Sequence, residues 1–179
     1  MKWFKYNNST RNMTTLSIVC SCRNDDYGGN LLDRLLYFLR SVDRFNIDTE
    51  VIVVEWNPIK DHEKLSCVIS RWNDSLPFKN KLRILTVSNE IHNKFVNNFN
   101  FTDPCNSFQE FPAKNVGIRN ANGRYILVTN PDIYYPKITI GTIESIIQQN
   151  LNNVFSTYPR GARTDILEVH NFTPLTDIE

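Results

Sequence analysis

No stretch of the sequence is apolar for long enough to cross a bilayer: residues 16–20 (LSIVC) and 51–54 (VIVV) are far shorter than the ~20 residues a spanning helix requires. The opening MKWFKYNNSTRNMTT lacks the apolar stretch of a secretory signal. A soluble, cytoplasmic chain with no membrane span is expected. An excess of either charge is missing too. Lysine and arginine number 20 against 19 aspartates and glutamates, a net charge of +1, so nucleic acid, which is held through many basic contacts to phosphate, is not an expected partner. Neither G-x-G-x-x-G nor G-x-x-x-x-G-K-[ST] occurs among the six glycines, which removes the dinucleotide and P-loop ways of cradling phosphate. His62, His92 and His170 cluster neither with each other nor with a cysteine, so there is no His/Cys metal site and no orienting group for a Cys-His nucleophile. Four cysteines are present. Two of them, in Cys20-Ser21-Cys22, fall where strand alternation puts both thiols on one face, and buried reduced thiols are expected there. There is no internal repeat, no low-complexity tract and no linker rich in proline, glycine or serine.

What is present is apolar material, 41% of 179 residues, sufficient for the core of one domain. Residues 16–20 read as a strand that stops at the polar segment 21–29. A helix follows, capped by Asn30, with Leu32, Leu35, Leu36, Leu39 and Val42 as its apolar stripe. Residues 51–54 read as a strand covered on both faces, 61–72 as a helix, and 82–87 as a third strand. The Asn- and Phe-rich segment 88–107 is the most loop-like, with room for a turn or two of helix over 91–99. Residues 110–120 read as helix with Asn122-Gly123 as its stop, 124–129 as a fourth strand, 138–149 as a helix packed on the sheet, and 153–158 as a last short strand. Strands separated by helices predict an α/β domain: a mostly parallel sheet with helices on both faces.

In such a sheet ligands sit outside the carboxyl ends of the strands, where strand order reverses. Three polar clusters end strands: Ser21-Cys22-Arg23-Asn24-Asp25-Asp26, Glu55-Trp56-Asn57 and Asn130-Pro131-Asp132. All three are expected to line one crevice. With no glycine-rich phosphate loop, a carboxylate-held divalent metal helped by Lys or Arg is the usual substitute. Pro131 lacks an amide hydrogen, ends the strand ladder and exposes Asp132.

Taken in order, Arg23-Asn24-Asp25-Asp26-Tyr27-Gly28-Gly29-Asn30, Val53-Val54-Glu55-Trp56-Asn57-Pro58, Ala113-Lys114-Asn115-Val116-Gly117-Ile118-Arg119 and Asn130-Pro131-Asp132 resemble the GT-A fold of family 2 glycosyltransferases. The likeness spans roughly residues 16–165. It is greatest to a branch with RNDDxGGN, VEWNP and AKNVGIR motifs, to whose later Arg- and Asp-rich segment Tyr158-Pro159-Arg160-Gly161-Ala162-Arg163-Thr164-Asp165 is similar. The resemblance implies a Rossmann-like nucleotide-sugar-binding fold. It places the first two strand ends, with Ser21, Asn24 and Glu55, against the base and ribose, and Lys114 and Asn115 under the diphosphate; the Arg23 guanidinium suits phosphate. Asp132 with Asn130 would hold Mn²⁺ or Mg²⁺, Tyr134 and Tyr135 would wall the sugar site, and Arg160 and Arg163 would reach over the leaving diphosphate. The implied reaction is metal-assisted transfer of a sugar, with inversion, from a UDP-, GDP- or dTDP-sugar to a carbohydrate or glycoconjugate acceptor. Two departures stand out. Asn130 occupies the place of the first carboxylate of Asp-x-Asp, a weaker ligand for a hard cation. The family's acceptor half, with its Glu-Asp pair, has no counterpart in the about forty residues after Pro136, which leaves Asp165 as nominee for the catalytic base.

Each residue also admits a plainer role. Glu55 caps the turn at Asn57-Pro58, Lys114 pairs with Glu110 four residues earlier on the helix, and Asn115 is helix surface. Arg23, Asp25 and Asp26 form a solvated turn, and the tyrosines, Trp56 and Trp72 are packing residues. Two other functions compete with the transferase: a non-catalytic nucleotide-sugar or glycan binding module of a larger assembly, and a nucleotidyltransferase. The last is ranked lowest, because such enzymes want a Gly-rich basic loop where residues 22–26 are acidic.

Overall fold

The computed structural model describes residues 14–26, 28–98 and 108–150. In chain order they form β1 (Leu16–Cys22), α1 (Leu31–Val42), β2 (Thr49–Trp56), α2 (Leu65–Ser75), β3 (Lys81–Val87), α3 (Asn89–Asn98), α4 (Glu110–Arg119), β4 (Tyr125–Val128) and α5 (Lys137–Gln148). The strands make one sheet in the order β3-β2-β1-β4, every pair parallel, a Rossmann-like α/β arrangement. The single domain expected from chain length divides into two compact units, Met1–Tyr135 and Pro136–Glu179. The sheet and α1 to α4 belong to the first. Of the second, α5 is described, and its isoleucine stripe Ile140, Ile143 and Ile147 is buried. The strand expected over 153–158 lies outside the described residues.

Every residue of β1 and β2 is buried, as parallel strands covered on both faces must be. The sequence shows β2 only as residues 51–54 because Glu50 and Glu55 interrupt the apolar run, yet both glutamates are fully buried within the strand. Strand alternation sends them to opposite faces. On the Val54 face lies α4: a Cβ added to Gly117 would collide with Val19 Cγ1 and stand 3.1 Å from Val54 Cγ2. On the Glu55 face lies α2, whose first amide, Leu65 N, donates to Glu55 Oε1 at 2.9 Å. This opposition follows from handedness. The chain steps from β1 to β2 to β3 in one direction, then returns past β1 to β4, and right-handed crossovers taken in opposite directions put their helices on opposite faces.

Several element ends depart from expectation, each for a local reason. Helix α1 starts after Asn30, but Asn30 adopts a left-handed backbone with φ 51° and makes no side-chain cap. Asp26 Oδ1 accepts the Leu31 amide instead, at 3.0 Å. Its buried stripe is Leu31, Leu35, Phe38, Leu39 and Val42, a rotation that leaves Leu32 and Leu36 half-buried. Helix α2 begins at Leu65 rather than near residue 61, because the Glu55 carboxylate fixes where its first amide must lie. Residues 89–98 form a helix of 10 residues, longer than the turn or two expected over 91–99. Helix α4 ends at Arg119 with Asn120 as its C-cap, within a residue of the expected end. Gly123 is required for close approach: a Cβ there would strike Ser17 N and stand 2.6 Å from Ser17 Oγ.

That approach is organised by Glu50. Ser17 Oγ donates to its Oε1 at 2.7 Å, the Asn122 amide to the same oxygen at 2.6 Å, and Arg83 Nη1 and Asn122 Nδ2 to Oε2 at 3.0 and 3.2 Å. Gly123 N in turn donates to Ser17 Oγ at 2.7 Å. One buried carboxylate thus ties the α4–β4 turn to β1, β2 and β3. Burial pushes the Glu50 carboxyl up, but the hydrogen bonds from Ser17, Asn122 and Arg83 outweigh it and hold the carboxyl below the usual range. Its stabilisation is therefore complete above the unfolded value of about 4.3 and is lost as pH falls through the lower folded value. Glu50→Gln is expected to lower unfolding free energy at pH 7 by about 3 kcal/mol. In urea titrations the gap to wild type should persist down to pH ~5 and close below pH ~4. A gap that widens in acid contradicts this assignment.

Candidate functional site

The order of strands reverses between β1 and β4, so the carboxyl edge of that pair is where an open parallel sheet offers a crevice. The ladder runs one residue past β4, with Thr129 N donating to Val19 O at 2.9 Å. Asn130, Pro131 and Asp132 then turn away, and Pro131 has no amide with which to continue the pairing.

Two cations grip this tripeptide. Lys114 on α4 donates from Nζ to Asn130 Oδ1 and to Glu110 Oε1, both at 2.5 Å. Arg34, in the first turns of α1, donates from Nε to Gly29 O at 3.1 Å and from Nη1 to Asp132 Oδ2 at 3.5 Å. Helices α1 and α4 lie on opposite faces, so the two cations flank the crevice. The Asp132 side chain is 42% exposed. Ser21 is buried on the α4 face, and the register that pairs Val19 with Val128 brings Ser21 level with Asn130 when continued by two residues. Its hydroxyl has no hydrogen-bond partner among the described residues. Four of the sequence candidates, Ser21, Lys114, Asn130 and Asp132, thus come together. Arg34 joins them unannounced, although a signal existed: a basic side chain near a helix N-terminus opposes the helix dipole and calls for an anionic partner.

The other candidates after β1 and β2 form a separate cluster of links between strand ends. Arg23 Nε donates to Asn57 O at 2.6 Å and Nη1 to Asp25 Oδ2 at 3.5 Å. Asn24 Nδ2 donates to Glu63 O at 2.6 Å, and the Asn24 carbonyl is 2.6 Å from His62 Nδ1. Asn57, left-handed at φ 50°, donates its amide to Val87 O at 2.8 Å and accepts from Asn89 Nδ2 at 2.9 Å. Glu55 is fully buried and accepts from Leu65 N and, at 3.3 Å, from Thr86 Oγ1. Its carboxylate caps α2 rather than the Asn57-Pro58 turn. Trp56 is a packing residue: its Nε1 donates to His92 Nδ1 at 2.9 Å, and its ring meets His92 and Phe95 edge-on. Accepting at Nδ1 places the His92 proton on Nε2, and burial followed by the Arg23 charge lowers the His92 pKa.

Asn115 is turned away from Lys114. It lines an apolar groove of about 820 Å³ on the other side of α4, with Leu85, Ile91, Phe95, Phe111 and Val116. Tyr135 packs: it sits 6.4 Å from the Phe38 ring, donates its amide to Ser41 Oγ at 3.2 Å and its hydroxyl to Thr129 Oγ1 at 2.7 Å. Those bonds draw the loop after Asp132 down along α1. Tyr134 lies 5.4 Å from the Arg44 guanidinium, with its hydroxyl buried. Cys20 and Cys22 are buried free thiols; burial pushes Cys20 up to about 12, with Lys114 pulling the other way. Arg160, Arg163 and Asp165 lie outside the described residues.

A divalent metal must be judged on Asn130 and Asp132 themselves, since Mg²⁺ or Mn²⁺ needs no more than one or two protein carboxylates when phosphate completes its shell. The Asn130 oxygen already accepts from an ammonium, and the Asp132 carboxylate faces a guanidinium. A cation seated between them would meet two positive side chains whose charges Glu110 and Asp132 already offset. As arranged, the pair does not fit a divalent cation. Comparison with protein-family models, with curated proteins and with solved structures finds no match for this chain.

The two carboxylates should separate in stability measurements. Glu55→Ala strips the cap from α2 and opens a cavity, with an expected cost of at least ~2 kcal/mol. Asp132→Ala removes an exposed ion pair, worth less than ~1 kcal/mol. Equal losses in thermal or urea unfolding would show that Glu55 is not the structural member of the two.

Proposed function

We propose that the chain binds a nucleoside-diphosphate sugar at the β1–β4 crevice and transfers the sugar to a carbohydrate or glycoconjugate acceptor, as a glycosyltransferase of GT-A type. The observation that carries this reading is the convergence of Lys114 and Arg34 on the Asn130-Pro131-Asp132 turn, at the strand-order reversal where open α/β sheets bind phosphorylated ligands. The N-termini of α1 and α4 open on the same edge and add partial positive charge. The buried Ser21 hydroxyl, without a partner among the described residues, suits a donor oxygen.

In this scheme the base and ribose lie over the ends of β1 and β2, held by the loop that Arg23 and Asn24 fix in place. The diphosphate lies between Lys114 and Arg34, and Asp132 reaches the sugar hydroxyls at the crevice mouth. Positive charge fixed beside the bridging oxygen offsets the negative charge that develops on the departing nucleoside diphosphate. The acceptor hydroxyl attacks the anomeric carbon from the opposite side and gives its proton to a carboxylate, with Asp165 as nominee.

A second reading, a non-catalytic nucleotide-sugar or glycan binding module, is favoured by one observation. Among the described residues, the crevice carboxylates Glu110 and Asp132 each sit in an ion pair, so neither is poised as a base.

A thermal-shift screen of UDP-, GDP- and dTDP-sugars is expected to raise the melting temperature with at least one base, the shift growing with concentration. Hydrolysis or transfer of that donor supports the transferase, whereas binding without turnover across acceptors supports the module. No shift with any of them removes both.

A further inference from the structure

Both atoms that would ligate a metal in a glycosyltransferase-like site are engaged here by cationic side chains, and the two engagements differ in kind. Lys114 is mostly buried, with 13% of its side chain exposed, and bonds Asn130 Oδ1 at 2.5 Å. Asn130 is neutral, and the carboxylate that pairs with the ammonium is Glu110, whose Oε1 lies 2.5 Å from Nζ and whose side chain is 42% exposed. The Arg34–Asp132 contact is longer, at 3.5 Å, and its carboxylate is 42% exposed. Such a pair is weak and can exchange partners. Phosphate oxygens are stronger partners for a guanidinium, which their geometry matches.

We propose that Lys114 and Arg34 together hold the diphosphate, that Asp132 is the counterion which Arg34 leaves when the diphosphate arrives, and that no divalent cation takes part in diphosphate binding. The proposal rests on the donor-binding reading above and deepens it. The Gly29 carbonyl keeps the Arg34 Nε in place during the exchange, so the guanidinium pivots rather than swings free. Asp132, released, faces the crevice mouth. Its role inverts relative to a metal ligand: removing its charge frees Arg34 for phosphate instead of emptying a cation site.

Isothermal titration of the full chain with UDP, GDP and dTDP, each in excess EDTA and each with 1 mM Mn²⁺, tests this. At least one nucleoside diphosphate is expected to bind in EDTA, with Mn²⁺ changing the affinity less than about twofold. Arg34→Gln and Lys114→Gln should each weaken binding in EDTA about tenfold or more. Asp132→Asn should strengthen it, by up to about fivefold. Unchanged melting temperatures show that the variants fold. If Lys114→Gln does not fold, Arg34→Gln and the sign of the Asp132→Asn effect still decide. Binding that requires Mn²⁺ and vanishes in Asp132→Asn overturns this proposal and leaves the donor-binding reading standing. Binding in EDTA that Arg34→Gln leaves unweakened also overturns it. No binding with or without Mn²⁺ removes the donor-binding reading and the proposal together.

Discussion

Parallel strands must be joined by right-handed crossovers, and almost everything here follows from how this chain spends its crossovers. Two in one direction build β1, β2 and β3, with α1 and α2 on one face. The return to the far side of β1 puts α4 on the other. Because helices run antiparallel to the strands they connect, α1 and α4 both present their N-termini at the carboxyl edge. That edge is also where β1 and β4 diverge. Lys114 and Arg34 can meet a single tripeptide from opposite faces only because strand order reverses at that point.

The same constraint explains why the sheet buries charge. A parallel sheet covered on both faces leaves no solvent for the glutamates of β2, so each must find donors inside. Glu50 finds them at the amino edge, in Ser17, Asn122 and Arg83, and locks the α4–β4 turn under the sheet. Glu55 finds them at the carboxyl edge, in the first amide of α2 and the Thr86 hydroxyl. The two form a structural pair, one per face. The crevice is framed by elements that these carboxylates pin, which is how a half-buried turn such as residues 130–132 keeps a defined position.

Much of this architecture was legible in the residues. Strand and helix alternation predicted the parallel sheet, and β1, β3, α4 and β4 lie within about two residues of where periodicity puts them. What misled was polarity inside elements. Glu55 reads as a ligand because an acid closing an apolar strand resembles a site residue, and nothing local reveals a helix amide ten residues later waiting for it. Asn30 reads as a cap because of its residue type, while the true cap, Asp26, acts across a left-handed turn that sequence spacing does not display. Asn115 sits beside Lys114 in the chain, yet consecutive helical residues point about 100° apart, which suffices to put it in the apolar groove instead of the crevice. Within the proposed site, Lys114, Asn130 and Asp132 were legible through motif order. Arg34 was legible only as a basic residue near a helix N-terminus, because the anion it meets comes from a contact spanning 98 positions of sequence.

In the proposed site a diphosphate is received between α1 and α4 at the end of β4. The most direct measurement is residue-by-residue mapping of backbone amide shifts by NMR during titration with the nucleoside diphosphate. The largest changes are expected on Gly28, Gly29, Arg34, Lys114, Asn130 and Asp132. Changes confined to the groove around Ile91, Phe95 and Phe111, with the turn at residues 130–132 unmoved, would contradict it.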